Sequence, residues 1–255
     1  MGANDVKAYD GFANVYDIMQ YDVAYERWAE KFYTYITTYG CGARTGLELG
    51  CGTATISLLL SKMGMAMDGL DVSDEMLTRA REKASVSNVR MKFYHQDMQE
   101  LQLNKRYDAV IAPCDGLNYL KDGNALKMLF KRVFDHLNSS GVFIFDLSTE
   151  YKFSEVIGDS TFAETFEDSA YIWENTYESE MKCLRFLLTL FVKDSGKYRR
   201  IEEYHEQFAY EMDTVKQWLS PYFNCLETVD GDTFEPVAQT SERVCFICKR
   251  KEEIV

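Results

Sequence analysis

From Gly40 to Ser148 the chain alternates short apolar runs with longer stretches whose apolar positions recur every three or four residues. The runs are RTGLEL, AMDGLDV, VRMKFY, YDAVIA and GVFIFDL, each of strand length. Between the last two, ALKMLFKRVFDHL sets Leu126, Leu129, Phe130, Val133, Phe134 and Leu137 on one helical stripe. Strand and helix in alternation predict βαβ units. Right-handed crossovers between them predict an α/β fold with a mostly parallel sheet and helices on both faces. Ligands of such sheets sit in the crevice at the carboxyl ends of the strands.

Two flanking regions break this rhythm. Residues 5–38 are aromatic-rich and read as two helices, one with Tyr9, Phe12 and Tyr16 on a face and one with Tyr25, Trp28 and Phe32. They either pack against the core or cover the crevice as a lid. After Ser148 the pattern turns to strands: SAYIWENTY, CLRFLLTLFVK and YRRIEEYHEQFAY, the last two joined by DSGK as a hairpin. A short helix, DTVKQWLS, is stopped by Pro221, and FNCLETVDG and ERVCFICKR follow as a final antiparallel pair at the edge of the sheet.

Composition narrows the chemistry. With 255 residues, 46% of them hydrophobic, the chain suits one domain with an embellishment. Its 41 acidic residues against 28 Lys and Arg, a net charge of -13, argue against a nucleic-acid substrate. The seven cysteines do not form a disulfide framework, and the first residues lack an apolar signal core. A cytoplasmic protein without a membrane span is therefore expected. Cys245 and Cys248 form a CxxC, but on a strand residues three apart point to opposite faces, so no metal or redox centre is expected there.

The stretch TGLELGCGTA carries the most specific signal. A dinucleotide turn would have a third glycine where Thr55 stands, and a phosphate-binding loop would have a lysine at the start of the helix. What remains is Glu48, then Gly50 and Gly52 within GCGTA. LELGCGTA resembles the first motif of the class I S-adenosylmethionine-dependent methyltransferases, with Ala54 departing from that motif's last glycine. The ligand's chemistry agrees: a sulfonium and an ammonium suit acids beside a glycine turn better than a phosphate cradle would.

The resemblance implies a Rossmann-like class I methyltransferase sheet with N-terminal helices and an antiparallel β insert after the fifth strand. It divides a single domain, 1–255, into an N-terminal helical lid (1–39), a cofactor-binding core (40–150), a β insert covering the substrate crevice (151–210) and the last helix and two strands (211–255). Asp71, at the end of the second strand, is placed to accept both ribose hydroxyls. Asp97 would accept the adenine amino group, with Met98 beside the ring. Tyr16, Cys51, Thr53, Val72, Met76, Gln96 and Cys114 complete the expected cradle for S-adenosylmethionine.

After the fourth strand, APCDGLNYL lacks the acid-Pro-Pro-aromatic pattern common in methyltransferases of nucleic-acid bases. The N-terminal YDGFANVYD and the strand-rich insert resemble bacterial small-molecule N-methyltransferases, including the amino-sugar and glycine N-methyltransferase-like branch. The expected acceptor is thus a small molecule, methylated on nitrogen, with Tyr119 and His205 as catalytic candidates and Tyr9 and Asn118 as acceptor contacts. A cofactor-binding regulatory protein and an RNA or protein methyltransferase are the alternatives. His95 and His136 read as structural. On an alternating strand His205 shares a face with Ile201 and Glu203, and the pattern does not say which face turns inward. Monomer and dimer both remain open.

Overall fold

The computed structural model describes residues 16–20 and 23–252. The elements run α1 (Tyr16–Met19), α2 (Tyr25–Tyr39), β1 (Thr45–Leu49), α3 (Thr55–Lys62), β2 (Ala66–Asp71), α4 (Asp74–Val86), β3 (Phe93–His95), β4 (Tyr107–Ala112), α5 (Gly123–Asp135) and β5 (Leu137–Ser148). They continue with β6 (Thr161–Thr165), β7 (Ser169–Glu178), β8 (Cys183–Asp194), β9 (Lys197–Phe208), α6 (Met212–Leu219), β10 (Phe223–Asp230) and β11 (Arg243–Arg250).

Seven strands form one sheet in the order β10-β11-β5-β4-β1-β2-β3. β1 to β5 pair in parallel, and β11 pairs antiparallel with both β5 and β10. The strand order reverses between β1 and β4, and the loops leaving these two strands diverge there to open a crevice. Both faces are covered, so beyond Asp108 the strand β4 is a continuous apolar run, AVIA, rather than alternating. One layer buries Leu47, Leu49, Val110, Phe143 and Phe145 against α5 and α6. On the other layer α2 contributes Trp28, Phe32 and Ile36 to a core shared with Ile111, Ile144 and Ile247.

The helix stripe predicted before β5 is real, though α5 ends at Asp135 and Leu137 opens the strand. His136 caps that helix end: Leu103 N–H donates to Nε2 at 2.8 Å, and Nδ1 lies 2.7 Å from the Arg132 carbonyl. The third predicted strand is shorter than the run VRMKFY suggests, because only Phe93, Tyr94 and His95 find partners on β2. Cys245 and Cys248 do fall on opposite faces of β11, in different core layers.

A second sheet, β6-β7-β8-β9, stands after β5. Its hairpin between β8 and β9 closes where Asp194 pairs with Lys197. Ser195 and Gly196 both take positive φ, 50° and 81°, as a two-residue turn matched to strand twist demands. β6 and the π-helical turn Lys152–Ile157 that precedes it have no counterpart in the sequence reading. No helix among the described residues is long and apolar enough to cross a membrane.

Candidate active site

β1 ends at Leu49, and the chain reverses through Gly50 and Gly52, at φ 63° and 51°. A Cβ on Gly50 would lie 3.2 Å from Met98 Cε, a tight contact, and the left-handed conformation is what calls for glycine here. Ala54, at φ 62°, takes the same left-handed conformation where a glycine would be at ease, and stands at the start of α3. Asp71 fixes the turn from the next strand. Its Oδ2 accepts from Gly52 N–H at 2.7 Å and its Oδ1 from Ser73 N–H at 2.9 Å. Burial raises the Asp71 carboxyl above its ordinary range.

A cavity of about 210 Å³ opens beside this turn. Gly50, Gly52, Asp71 and Val72 line it from the ends of the first two strands, and Met76 from α4. Gln96, Asp97 and Met98 close it from the third, and Cys114 and Tyr119 from the fourth. Asp97 is held by Gln99 N–H, which donates to its Oδ1 at 2.8 Å. A smaller chamber of about 30 Å³, lined by Glu48, Cys51 and Thr53, adjoins the larger one and shares Tyr16, Gly50, Gly52, Pro113 and Cys114 with it. Glu48 is buried there, its Oε2 accepting from the Ser57 amide at 3.0 Å and from the Ser57 hydroxyl. Desolvation pushes its carboxyl up to about 7.

The N-terminal helices divide their roles. α2 is a packed layer of the core, whereas α1 reaches the cavity. Tyr16 lines both chambers, and Asp17 accepts from the Thr53 hydroxyl at 2.6 Å and from Lys83 Nζ at 2.8 Å. Lys83 also donates to Thr55 at 2.7 Å, a convergence that the sequence reading missed because the partners come from three separate elements. Tyr9 lies outside the described residues.

The loop after β4 is strained. Cys114 and Asp115, both non-glycine, stand at φ 61° and 50°. A buried ionic network holds them. Arg243 pairs with Asp146, which is fully buried, and lies 3.6 Å from Asp115, while Asp115 N–H donates to Asp146 at 3.0 Å. Burial raises the Asp146 carboxyl. Nothing in the spacing of these residues signalled the network.

Asn118 corrects an expectation. It is fully buried, donating to the carbonyls of Ser148 at 3.1 Å and Phe208 at 2.9 Å and accepting from Ser148 N–H at 2.9 Å. With both amide hydrogens and its oxygen engaged by backbone, it ties the loop to β5 and β9 instead of facing an acceptor. That tie leaves Tyr119 at the cavity wall, 3.1 Å from His205 Nδ1. The question of which face of β9 turns inward has an answer: Glu203 and His205 are 1% and 3% exposed, against 56% for Tyr204. His205 stacks on Phe186 at 4.5 Å, and its Nε2 lies 3.4 Å from Glu203 Oε2. Among the described residues no group of three or more His, Cys, Asp or Glu could hold a metal ion.

A glycine turn after β1, acids at the ends of β2 and β3 and a cavity at the sheet's switch point together define a nucleoside-binding α/β enzyme. Residues 47–141 match the family described as "Methyltransferase domain". A Geobacillus sp. (strain WCH70) protein named only as a methyltransferase is 36% identical over 245 residues, 95% of this chain and 99% of its own length. The structure of an S-adenosylmethionine-dependent methyltransferase from Clostridium acetobutylicum ATCC 824 is 30% identical, covers 96% of this chain and 99% of its own, and superposes with a TM-score of 0.86. The sugar N-methyltransferase KedS8 from Streptoalloteichus sp ATCC 53650, at 18% identity with 99% of each chain covered, has a TM-score of 0.77, a likeness of fold. The chain belongs to the S-adenosylmethionine-dependent methyltransferases.

The residues present fit that cofactor. The left-handed turn at Gly50 brings backbone close to the cavity, and Glu48 and Asp71 are carboxyls that a cationic sulfur nucleoside would draw into the ionised form.

Proposed function

We propose that the protein methylates the nitrogen of a small-molecule amine in the cytoplasm. The observation that carries this reading is the Tyr119–His205 pair, set between the cofactor cavity and the inner face of the β6–β9 sheet. When bound, S-adenosylmethionine would supply an electrophilic methyl group on a sulfonium, with a neutral thioether as the leaving group. Glu48, Asp71, Asp97 and the glycine turn would hold the cofactor. Holding an acceptor in line at near-contact distance is worth up to roughly 7 to 11 kcal/mol.

An amine with a lysine-like pKa near 10.4 costs about 4 to 5 kcal/mol to neutralise at pH 7. A group that takes its proton is therefore useful, and Tyr119, backed by His205, faces the cavity. The inner face of the β6–β9 sheet is partly polar. Trp173 Nε1 is buried there without a hydrogen-bond partner among the described residues, which favours a polar acceptor. The net charge of -13 disfavours RNA.

Incubation with S-adenosylmethionine labelled in the methyl group and a panel of amines, carboxylates and phenols tests the proposal. Label appearing in amines supports it. Label confined to carboxylates or phenols, or none transferred by protein that binds the cofactor, overturns it.

A further inference from the structure

The geometry points to Glu203 as the positioning residue that sets the tautomer of His205 and so makes Tyr119 a proton acceptor. The role rests on the amine reading above, but the tautomer itself does not. β9 presents Glu203 and His205 two residues apart on the face turned toward the core, and both are almost fully buried. β8 supplies Phe186, whose ring stacks on the imidazole at an interplanar angle of 12°, so the ring plane is fixed by packing. Tyr119 comes from the strained loop after β4 and meets the imidazole edge-on, with ring centroids 5.8 Å apart.

In that fixed plane the two ring nitrogens face different partners. Nδ1 lies 3.1 Å from the Tyr119 hydroxyl and Nε2 lies 3.4 Å from Glu203. A neutral imidazole carries one N–H, and a carboxylate can only accept. Glu203 therefore draws the hydrogen to Nε2 and leaves the Nδ1 lone pair for the Tyr119 hydroxyl. With the opposite tautomer Nδ1–H would donate to Tyr119, and no base would stand behind the phenol.

The proton path then balances. An acceptor ammonium gives a proton to the Tyr119 oxygen as the Tyr119 hydroxyl proton passes to Nδ1. The products are a neutral amine, an intact phenol and an imidazolium beside the Glu203 carboxylate. His205 releases the proton by the reverse route before the next turnover. The arrangement has the logic of a nucleophile, histidine and acid triad, with the phenol acting as base in place of a nucleophile. The Nε2 contact is longer than a formed hydrogen bond, as such contacts often are before substrate closes a site.

The chain has three histidines, so full-length protein labelled with ¹⁵N at histidine gives a spectrum simple enough to assign with His205→Asn. Long-range ¹H–¹⁵N correlation distinguishes the tautomers. The expected result is Nε2–H for His205 in the wild type and conversion of more than half the signal to Nδ1–H in Glu203→Leu. Wild-type protein in the Nδ1–H form, or a Glu203→Leu variant that keeps Nε2–H, overturns the assignment. Should Glu203→Leu fail to bind S-adenosylmethionine, the wild-type spectrum alone decides. If no amine is ever methylated, the amine reading fails while the tautomer result stands. For any amine the wild type does methylate, Glu203→Leu is expected to lower kcat about 10²-fold with cofactor affinity unchanged within threefold, since Glu203 is outside the cavity wall.

Discussion

The sheet of β1 to β5 and the sheet of β6 to β9 carry the two ends of the proposed site by different means. At the cofactor end the cavity is lined by a glycine turn and by acids at strand ends. Gly50, Gly52 and the Asp71 bond to Gly52 N–H would survive most changes of neighbouring side chains. At the proposed acceptor end the candidate groups are alternate side chains of β9, where Glu203 and His205 can be exchanged without touching the ladder. The first end is therefore fixed by conformation and the second by residue identity, which is how a common fold keeps one cofactor and varies its acceptors.

Substitutions should separate the two ends. The largest effect is expected where the core supports the loop carrying Tyr119. Arg243→Met strands the buried Asp146 carboxylate and should cost about 3–5 kcal/mol in urea unfolding, because a buried charge loses its partner. A loss under 1 kcal/mol would mean that the network does not bear on stability.

Next, Gly50→Val should weaken S-adenosylmethionine binding by about 10²-fold in calorimetry, from left-handed strain and the clash with Met98. His205→Asn should leave that binding intact and lower kcat for a methylated amine by about 10²-fold. Equal losses of cofactor affinity in both variants would dissolve the distinction between the ends.

The legibility of the chain follows the same division. Gly50, Gly52, Asp71 and Asp97 were readable because a tight turn and strand-end acids leave a fixed spacing along the chain. The amphipathic stripe of α5 was readable because burial on one face enforces a period. β6 was not: its side chains are mostly exposed, so no apolar alternation marks it. The role of Asn118 was hidden because its partners, Ser148 and Phe208, lie 30 and 90 residues away. The inward face of β9 was undecidable from alternation alone, since both faces carry charged residues.

A smaller effect concerns pH. Burial lifts the Glu48 carboxyl to about 7, so the folded protein without cofactor holds a proton that the unfolded chain has lost. Its stability should fall as pH rises from the ordinary carboxylate range to about 7. A cationic cofactor favours the ionised carboxylate, so its affinity should rise about tenfold between roughly pH 6 and 8. Calorimetry of Glu48→Gln should show that dependence flattened. A wild-type affinity constant across the range would place the Glu48 charge outside the binding equilibrium.

The smallest effect is at Ala54. A left-handed alanine costs about 1–2 kcal/mol, and glycine adds about 0.5–1 kcal/mol of chain entropy, so Ala54→Gly should stabilise by about 0.5–1 kcal/mol in thermal unfolding. Destabilisation would show that α3 relies on the methyl group for packing.

Tyr16 belongs to both ends at once. It lines the cavity and also packs with Met76, Leu188 and Leu190, the hydrophobic patch joining α4 to β8. A nucleoside product that leaves past Tyr16 would disturb that patch between α4 and β8. Turnover should accordingly be paced by product escape, visible as a pre-steady-state burst of methylated product followed by a slower linear phase.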